Sequence, residues 1–443
     1  MASDPGAAAE VFRRRVAERE LVVGVVGLGY VGLPLAIGFA ETGFRVVGFD
    51  VDGERVDALN QGQSHIEDVD VDVLGGLVDT GAFAATVRAD ELGAADAIFI
   101  SVPTPFDDSK TPDLSYVRSA AEAVRGAVRP GTLVVLQSTT YPGTTTEVVQ
   151  PILERDGLQV GTDLFLAFSP ERVDPGNTTW NVRNTPKVVG GTTPACAAMA
   201  AALLESVLVD GGSVLVLSSP AAAEMTKLLE NTYRAVNIAL VNELAVLARE
   251  MGIDIWEVIG GAATKPFGFQ SFAPGIGPGG HCIPVDPYYL SWRARRFDFQ
   301  TKFIELAADT NLRMAHYVRE RILGLLNGLG RTLQGARVLA LGVSFKPGVA
   351  DVRNSRALRV IELLEEAGAE VVFSDPHVSQ VEIGGVARKG VELTPEALEH
   401  ADLVTILVAH PQWPAELLRT TATPLFDAVN ALGAPARPEH QRL

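Results

Sequence analysis

A chain of 443 residues is too long for one ordinary domain and fits two to four at roughly 100–200 residues each. With 47% hydrophobic and 21% charged residues it has ample material for packed cores, which excludes wholesale disorder. Its 37 basic against 54 acidic residues give a net charge of -17, which lacks the basic footprint of a non-specific nucleic-acid binder. Two cysteines, Cys196 and Cys282, exclude a disulfide framework and a cysteine-built zinc site. No metal is expected, and a reducing cytoplasmic location follows.

Residues 1–19 read as a polar, helical N-terminal extension without the pattern of a signal peptide. Leu21 to Ala40 carries no charge over twenty residues, long enough to span a bilayer, but it holds five glycines and Pro34. Its better explanation is a strand, Leu21–Val26, a glycine turn and a helix over Leu33–Ala40. Further short apolar runs, Arg45–Phe49, Ala97–Val102 and Leu133–Gln137, read as parallel strands covered on both faces. From Ala221 to Met251 there is no Gly or Pro, which predicts one long connecting helix. Residues 262–289 are rich in Gly, Pro and aromatics and read as loop. Ile304–Leu326 is helical again. Arg337–Leu341, Ser355–Ala367 and Glu370–Ser374 then repeat strand–helix–strand. HADLVTILVAHP (400–411) echoes AADAIFISVPTP (94–105). The expected fold class is α/β, with two Rossmann-like doubly wound domains, 1–217 and 326–443, joined by a helical central domain, 218–325.

GLGYVG (27–32) lies between the first strand and its helix, where G-x-G-x-x-G binds dinucleotides. Gly27 permits the turn, Gly29 lets a pyrophosphate approach, and Gly32 lets helix and strand pack closely. Backbone N–H groups and the helix dipole then face the phosphates. Asp50 ends the second strand, where a carboxylate accepts from a ribose diol and repels a 2′-phosphate. The pattern therefore favours NAD over NADP.

Cys282 lies in PGIGPGGHCIPVDPYYL (274–290), whose four glycines and four prolines make a poor setting for core filler. Cys196, in PACAAMAAALL, reads as a buried helix residue. A reactive cysteine beside NAD suggests aldehyde oxidation through a thiohemiacetal and a thioester. His281, the neighbour, is read as structural.

These motifs resemble the nucleotide-sugar 6-dehydrogenases of the UDP-glucose/GDP-mannose dehydrogenase family, over about residues 21 to 430. They occur in family order: GLGYVG (27–32), SVPTP (101–105), QSTTYPGTT (137–145), SPER (169–172), KLLENTYRAVNIALVNELA (227–245), GGHCIPVDP (279–287) and GVSFKPGVADVRNS (342–355). The resemblance implies oxidation of a C6 hydroxyl to a carboxylate, with two NAD consumed per turnover. It casts Cys282 as nucleophile, Lys227 as the cation for developing oxyanions, and Asn231 as the amide holding the reacting centre and a water. Asp286 polarises that water, Glu171 assists proton transfer or hydrolysis, and Thr139 lies near the nicotinamide. Cofactor contacts are implied for Tyr30, Val31, Arg55, Val102, Pro103, Thr104 and Ser138 beside the glycines and Asp50. Substrate contacts are implied for Glu171, Arg172, Val173, Lys227, Asn231, Gly279 and Lys346, the last at the diphosphate. Arg353 serves either the substrate or a subunit interface, and Lys265 is a substrate contact from either its own or a second subunit.

SPERVDPG carries Pro175 where the glucose branch has a second glutamate, and GGHCIPVDPYYL lacks that branch's Lys before the Asp. Both features resemble the branch that oxidises UDP-N-acetylhexosamines. ATKPFGFQSFAPGIGPGGHC (263–282) is especially similar to UDP-N-acetylglucosamine 6-dehydrogenases of bacterial surface-polysaccharide pathways. UDP-N-acetylglucosamine is the favoured substrate, with UDP-N-acetylmannosamine or UDP-glucose as alternatives. An NAD-dependent epimerase or reductase would need a Tyr-x-x-x-Lys pair, which no suitable segment supplies. A non-catalytic NAD sensor would bind cofactor without consuming sugar. The apolar stripe on the long helix predicts a homodimer or higher homo-oligomer; neither a nucleic-acid nor a membrane partner is expected.

Overall fold

The short Val-, Leu- and Phe-rich runs form strands that are mostly buried on both faces, as parallel sheets require. The computed structural model describes residues 5–66, 69–107, 110–174, 176–177, 179–209 and 212–443; Pro175 lies outside them. The first sheet takes β1 (Val22–Val26), β2 (Arg45–Phe49), β3 (Phe83–Thr86), β4 (Ala97–Ile100), β5 (Leu133–Leu136), β6 (Phe165–Phe168), β7 (Lys187–Gly191) and β8 (Val214–Leu217). Its order is β3-β2-β1-β4-β5-β6-β7-β8. The first six strands follow the dinucleotide-binding order. The β6–β7 pairing is antiparallel and β8 follows β7, so Lys187, where β7 begins, stands at the edge where β1 to β6 end.

The second sheet holds β9 (Arg337–Leu341), β10 (Glu370–Ser374), β13 (Leu403–Ile406), β14 (Leu425–Asp427) and β15 (His440–Arg442), in the order β10-β9-β13-β14-β15. All its pairings are parallel, and the order is the other common doubly wound one. The hairpin β11 (Gln380–Ile383) and β12 (Val386–Lys389) stands apart from it.

The N-terminal extension is the helix Pro5–Ala17. Ala9, Phe12 and Val16 recur at helical spacing and are buried in the first core. Arg15 anchors it by pairing with Asp96, which also accepts from Val22 N and Arg129. The long helix runs over Pro220–Glu250 and the later one over Lys302–Gly328. Within 262–289, expected as loop, a helix already starts at Asp286 and continues to Ala294. An acid in the first turn suits the helix dipole, and Pro287 costs nothing there because first-turn N–H groups have no intrahelical acceptor.

The chain forms two compact units. One comprises Met1–Glu230 with Trp292–Asp298, the other Asn231–Ser291 with Phe299–Leu443. Most of the helical middle thus belongs to one unit with the second sheet. A buried amide ladder holds its two long helices and its loop together. Asn242 Nδ2 donates to Asn311 Oδ1 at 3.0 Å, and Asn311 Nδ2 donates to Ala235 O at 3.1 Å. Asn242 Oδ1 accepts from Gly275 N at 2.9 Å, which fixes the start of the glycine-rich loop. No helix among the described residues is long and apolar enough to cross a membrane. Asn242→Leu strands the Gly275 N–H and the Asn311 carbonyl without partners. We expect a loss of about 1–3 kcal/mol in urea unfolding.

Candidate active site

Because β1, β2, β4 and β5 are parallel, everything that follows them gathers at one edge of the first sheet. Gly27 has φ +88°, and a Cβ there would sit 2.5 Å from Ser101 O. A Cβ on Gly32 would come within 1.8 Å of Gly27 O, whereas one on Gly29 meets nothing within 4 Å. Two glycines are therefore demanded by the protein's own backbone, and the middle one leaves room for a ligand. The helix Gly32–Glu41 begins on the last of them. Tyr30 is exposed and Val31 half-buried on the same turn. Val102, Pro103 and Thr104 follow β4; Ser138 and Thr139 follow β5. Ser138 Oγ donates to Val102 O at 2.8 Å and accepts from Val102 N at 2.9 Å, locking these two loops together.

Asp50, 5% exposed, clamps the turn. Its Oδ2 accepts from Leu28 N at 2.8 Å and from the Arg55 guanidinium at 3.0 Å, and its Oδ1 accepts from Asp52 N. Arg55, expected as a cofactor contact, pairs with the acid expected at the ribose.

A buried polar chain crosses the ends of β4, β5 and β6. Ser101 Oγ donates to Gln137 Oε1 at 2.7 Å, and Gln137 Nε2 donates to Glu171 Oε2 at 3.4 Å. Lys187 Nζ meets the same oxygen at 3.3 Å, while Glu171 Oε1 accepts from Arg172 N and Val173 N. Burial works to raise the Glu171 pKa, but the Lys187 charge and the two backbone donors outweigh it and hold the carboxyl below its ordinary range. Glu171 is therefore an anchored carboxylate that shapes the 171–173 loop. The Arg172 guanidinium is engaged with Glu230 at 2.6 Å and Pro186 O at 2.8 Å. Sequence reasoning missed Lys187 and Gln137; a lysine opening an apolar strand was the available signal.

Lys227 and Asn231 are buried and lie one turn apart on the helix Pro220–Glu250. Glu224, also missed, lies earlier on that helix and is fully buried. Its carboxylate accepts from Gly143 N at 2.6 Å, Thr145 N at 2.9 Å and Thr145 Oγ1 at 2.7 Å. It ties the far end of the loop that carries Thr139 to the helix that carries Lys227.

In the second unit, Cys282 O accepts from Asp286 N at 2.8 Å, and Asn231 Nδ2 donates to Asp286 Oδ2 at 2.5 Å. The structure thus brings Asn231, Cys282 and Asp286 together, with the Cys282 residue exposed and Asp286 buried. The glycine-rich loop packs on the 342–355 motif. A Cβ on Gly279 would lie 3.0 Å from both Asn354 O and Phe345 Cβ. Gly280 N donates to Arg353 O, and Asn354 Nδ2 donates to Gly280 O. The Arg353 side chain pairs with Asp351 at 2.5 Å. Burial, helped by the Arg353 charge, pushes the His281 pKa below its ordinary value. Lys346 is half-buried after β9, and Lys265 is exposed beside the Phe267 ring. Cys196 is fully buried; its sulfur lies near the hydroxyls of Thr192 and Thr193. Among the described residues, no group of three or more His, Cys, Asp or Glu could hold a metal.

The sheet order, the glycine turn and the clamped acid define an NAD-binding dehydrogenase. The chain belongs to the UDP-glucose/GDP-mannose dehydrogenase family. The family's NAD-binding domain matches residues 21–208, its central domain 221–313 and its UDP-binding domain 339–434. NAD is the cofactor, and a UDP-sugar is the class of substrate. The chain is 37% identical to UDP-N-acetyl-D-glucosamine 6-dehydrogenase of Pseudomonas aeruginosa, covering 82% of this chain and 84% of that one. It is 36% identical to NDP-N-acetyl-D-galactosaminuronic acid dehydrogenase of Ralstonia nicotianae, over 88% and 91%. The solved UDP-D-ManNAc dehydrogenase of Pyrococcus horikoshii superposes with a TM-score of 0.87 at 33% identity, over 95% and 99%.

Gly29→Val should keep the melting temperature near wild type yet weaken NAD binding, read by calorimetry, by about tenfold or more. Gly32→Ala should lower both. Glu171, whose pKa is depressed on folding, contributes stability above the ordinary glutamate range and loses it as pH falls through its folded pKa. Lys187→Met leaves that charge buried and unpaired, so it should cost about 3–5 kcal/mol at neutral pH. Protonating Glu171 relieves that penalty, so the deficit against wild type should shrink as pH falls, and Glu171→Gln in the same chain should restore part of the loss at neutral pH.

Proposed function

We propose that this protein oxidises C6 of a UDP-N-acetylhexosamine to the uronic acid, with UDP-N-acetylglucosamine the favoured sugar. The observation that carries the reading is the Asn231–Asp286–Cys282 arrangement: an exposed cysteine whose backbone carbonyl accepts from Asp286 N, while the Asp286 carboxylate accepts from the buried Asn231 amide. When bound, NAD accepts a hydride, and two successive molecules take the two hydrides that the four-electron oxidation releases.

The protein's own groups handle the carbon and the protons. The C6 alcohol loses a hydride and a proton to become an aldehyde. The Cys282 thiolate adds to that carbonyl carbon, giving a thiohemiacetal whose oxyanion the Lys227 ammonium stabilises. Loss of the second hydride leaves a thioester. Water, polarised by Asp286 and held by Asn231, attacks the thioester, expels the thiolate and leaves the carboxylate. Thr139 would serve the nicotinamide when NAD is bound, and Glu171 fixes the 171–173 loop, through which Arg172 and Val173 would meet the sugar. Gly279, Lys346 and Arg353 serve the nucleotide. A thiol used in this way must stay reduced, which supports a cytoplasmic site of action.

The domain assignment follows chemistry rather than compactness: 1–217 for NAD, 218–325 for the cysteine loop and 326–443 for UDP. The preference among sugars rests on the 263–282 segment; relatives named for gluco-, manno- and galacto-configured sugars are all near in sequence. Met225, Leu229, Tyr233, Leu240, Leu244 and Leu247 form an exposed stripe along the long helix. A second copy of the chain is the proposed cover, with Lys265 then placed either in its own or the partner's site.

Purified protein offered UDP-glucose, UDP-N-acetylglucosamine, UDP-N-acetylmannosamine and UDP-N-acetylgalactosamine should form NADH fastest with the second. Two NADH should appear per sugar consumed. Formation of one or none returns the choice to an epimerase, a reductase or a sensor. Cys282→Ser should stop net acid formation while NAD binding persists; steady wild-type acid formation would sink the thioester route. Light scattering should give a dimer, and Leu240→Lys with Leu244→Glu should give a monomer that still binds NAD.

A further inference from the structure

The second sheet repeats the glycine–acid clamp of the first and then alters it. Gly342 follows β9 with φ +92°, where a Cβ would lie 2.4 Å from Val408 Cβ. Gly342 N donates to Ser374 O at 2.8 Å, as Gly27 N donates to Phe49 O. Asp375 ends β10 as Asp50 ends β2. Its Oδ2 accepts from Val343 N at 2.7 Å and Ser344 N at 3.2 Å, and its Oδ1 accepts from His377 N.

Here the likeness stops. Ser344 stands where Gly29 stands in the first turn, and it is buried. His410, whose side chain is fully buried, occupies the acid. Its Nε2 lies 3.2 Å from Asp375 Oδ2 and 3.2 Å from Ser344 Oγ, and its Nδ1 accepts from Gly348 N at 3.2 Å. Accepting at Nδ1 puts the proton on Nε2, aimed at Asp375. Ser344 Oγ in turn donates to Lys346 O at 2.8 Å. One imidazole therefore holds the loop 343–348 at its start and at its end, with Lys346 between. Trp413 backs the ring edge-on at 5.6 Å, and its indole N–H donates to Val408 O at 2.8 Å. Nothing in the mechanism above uses His410.

We propose that His410 is a positioning residue for the nucleotide diphosphate: by bridging Asp375 and Ser344 to Gly348 it sets the backbone that presents Lys346. The inference rests on the reading that Lys346 meets the diphosphate. It also explains why this turn does not serve a second dinucleotide. The open position of the first turn is filled by a side chain, and the ribose-facing acid of the first turn is here consumed by a histidine.

The test uses the full-length protein and UDP itself as probe, measured by calorimetry, together with kcat and KM for the UDP-sugar. Asn at this position can keep an acceptor near the place of Nδ1, and Gln a donor near that of Nε2, so the pair dissects the bridge. Lys346→Ala should weaken UDP by about tenfold or more. His410→Leu should weaken UDP and raise the UDP-sugar KM by a similar factor, with kcat and NAD affinity within about twofold of wild type. His410→Asn and His410→Gln should fall between. Wild-type UDP affinity in His410→Leu beside a weakened Lys346→Ala overturns the proposal and leaves the Lys346 reading standing. Wild-type affinity in Lys346→Ala overturns that reading. If His410→Leu does not fold, wild-type UDP affinity in both the Asn and Gln variants overturns the proposal instead.

Discussion

A carboxylate at the end of a second strand, accepting N–H groups from the turn after the first, is the contact on which both sheets depend. Asp50 and Asp375 each do this. Parallel strands cannot close a hairpin, so each must end in a turn that sends the chain into a crossover. That turn leaves its own N–H groups without strand partners. A neighbouring acid satisfies some of them and leaves others to face a ligand. The same economy that folds the sheet thus prepares its carboxyl edge for an anion in a chain whose net charge is -17.

Around the first clamp, the remaining polar groups are organised by burial. Glu171 and Lys187 satisfy one another with side-chain exposures of 7% and 1%. Gln137 extends the network toward the loop after β4. Such a network holds one conformation well because every alternative strands a charge. In the second unit, neutral amides do similar work: Asn242 and Asn311 fasten the glycine-rich loop to the helices without any charge to desolvate. Glycines 277, 279 and 280 then let that loop press against backbone and the Phe345 side chain where a Cβ would intrude.

Much of this was legible from sequence. β2, β9 and β10 begin and end where apolar runs and turn residues place them, and the long helix begins and ends within one residue of its Gly- and Pro-free segment. The three glycines of the first turn have the geometry their spacing implies. The site's second layer was not legible, because nothing local distinguishes a buried lysine or histidine from a solvated one. Lys187 becomes a counter-ion only through the reversal of β7 relative to β6. His410 becomes a clamp only when β13 lies beside β9. The start of the Asp286 helix was obscured by Pro287, which ends helices in most positions but is at home in a first turn.

The two thiols differ in a way that sets the protein's chemical vulnerability. Cys196 is sealed in the first core with two threonine hydroxyls around its sulfur, while Cys282 is exposed. A thiol-selective electrophile in solution therefore meets one thiol per folded chain, and the second becomes reactive only when the first sheet opens. Alkylation counted against time is a built-in meter of integrity: the first equivalent reports the loop, the second reports unfolding.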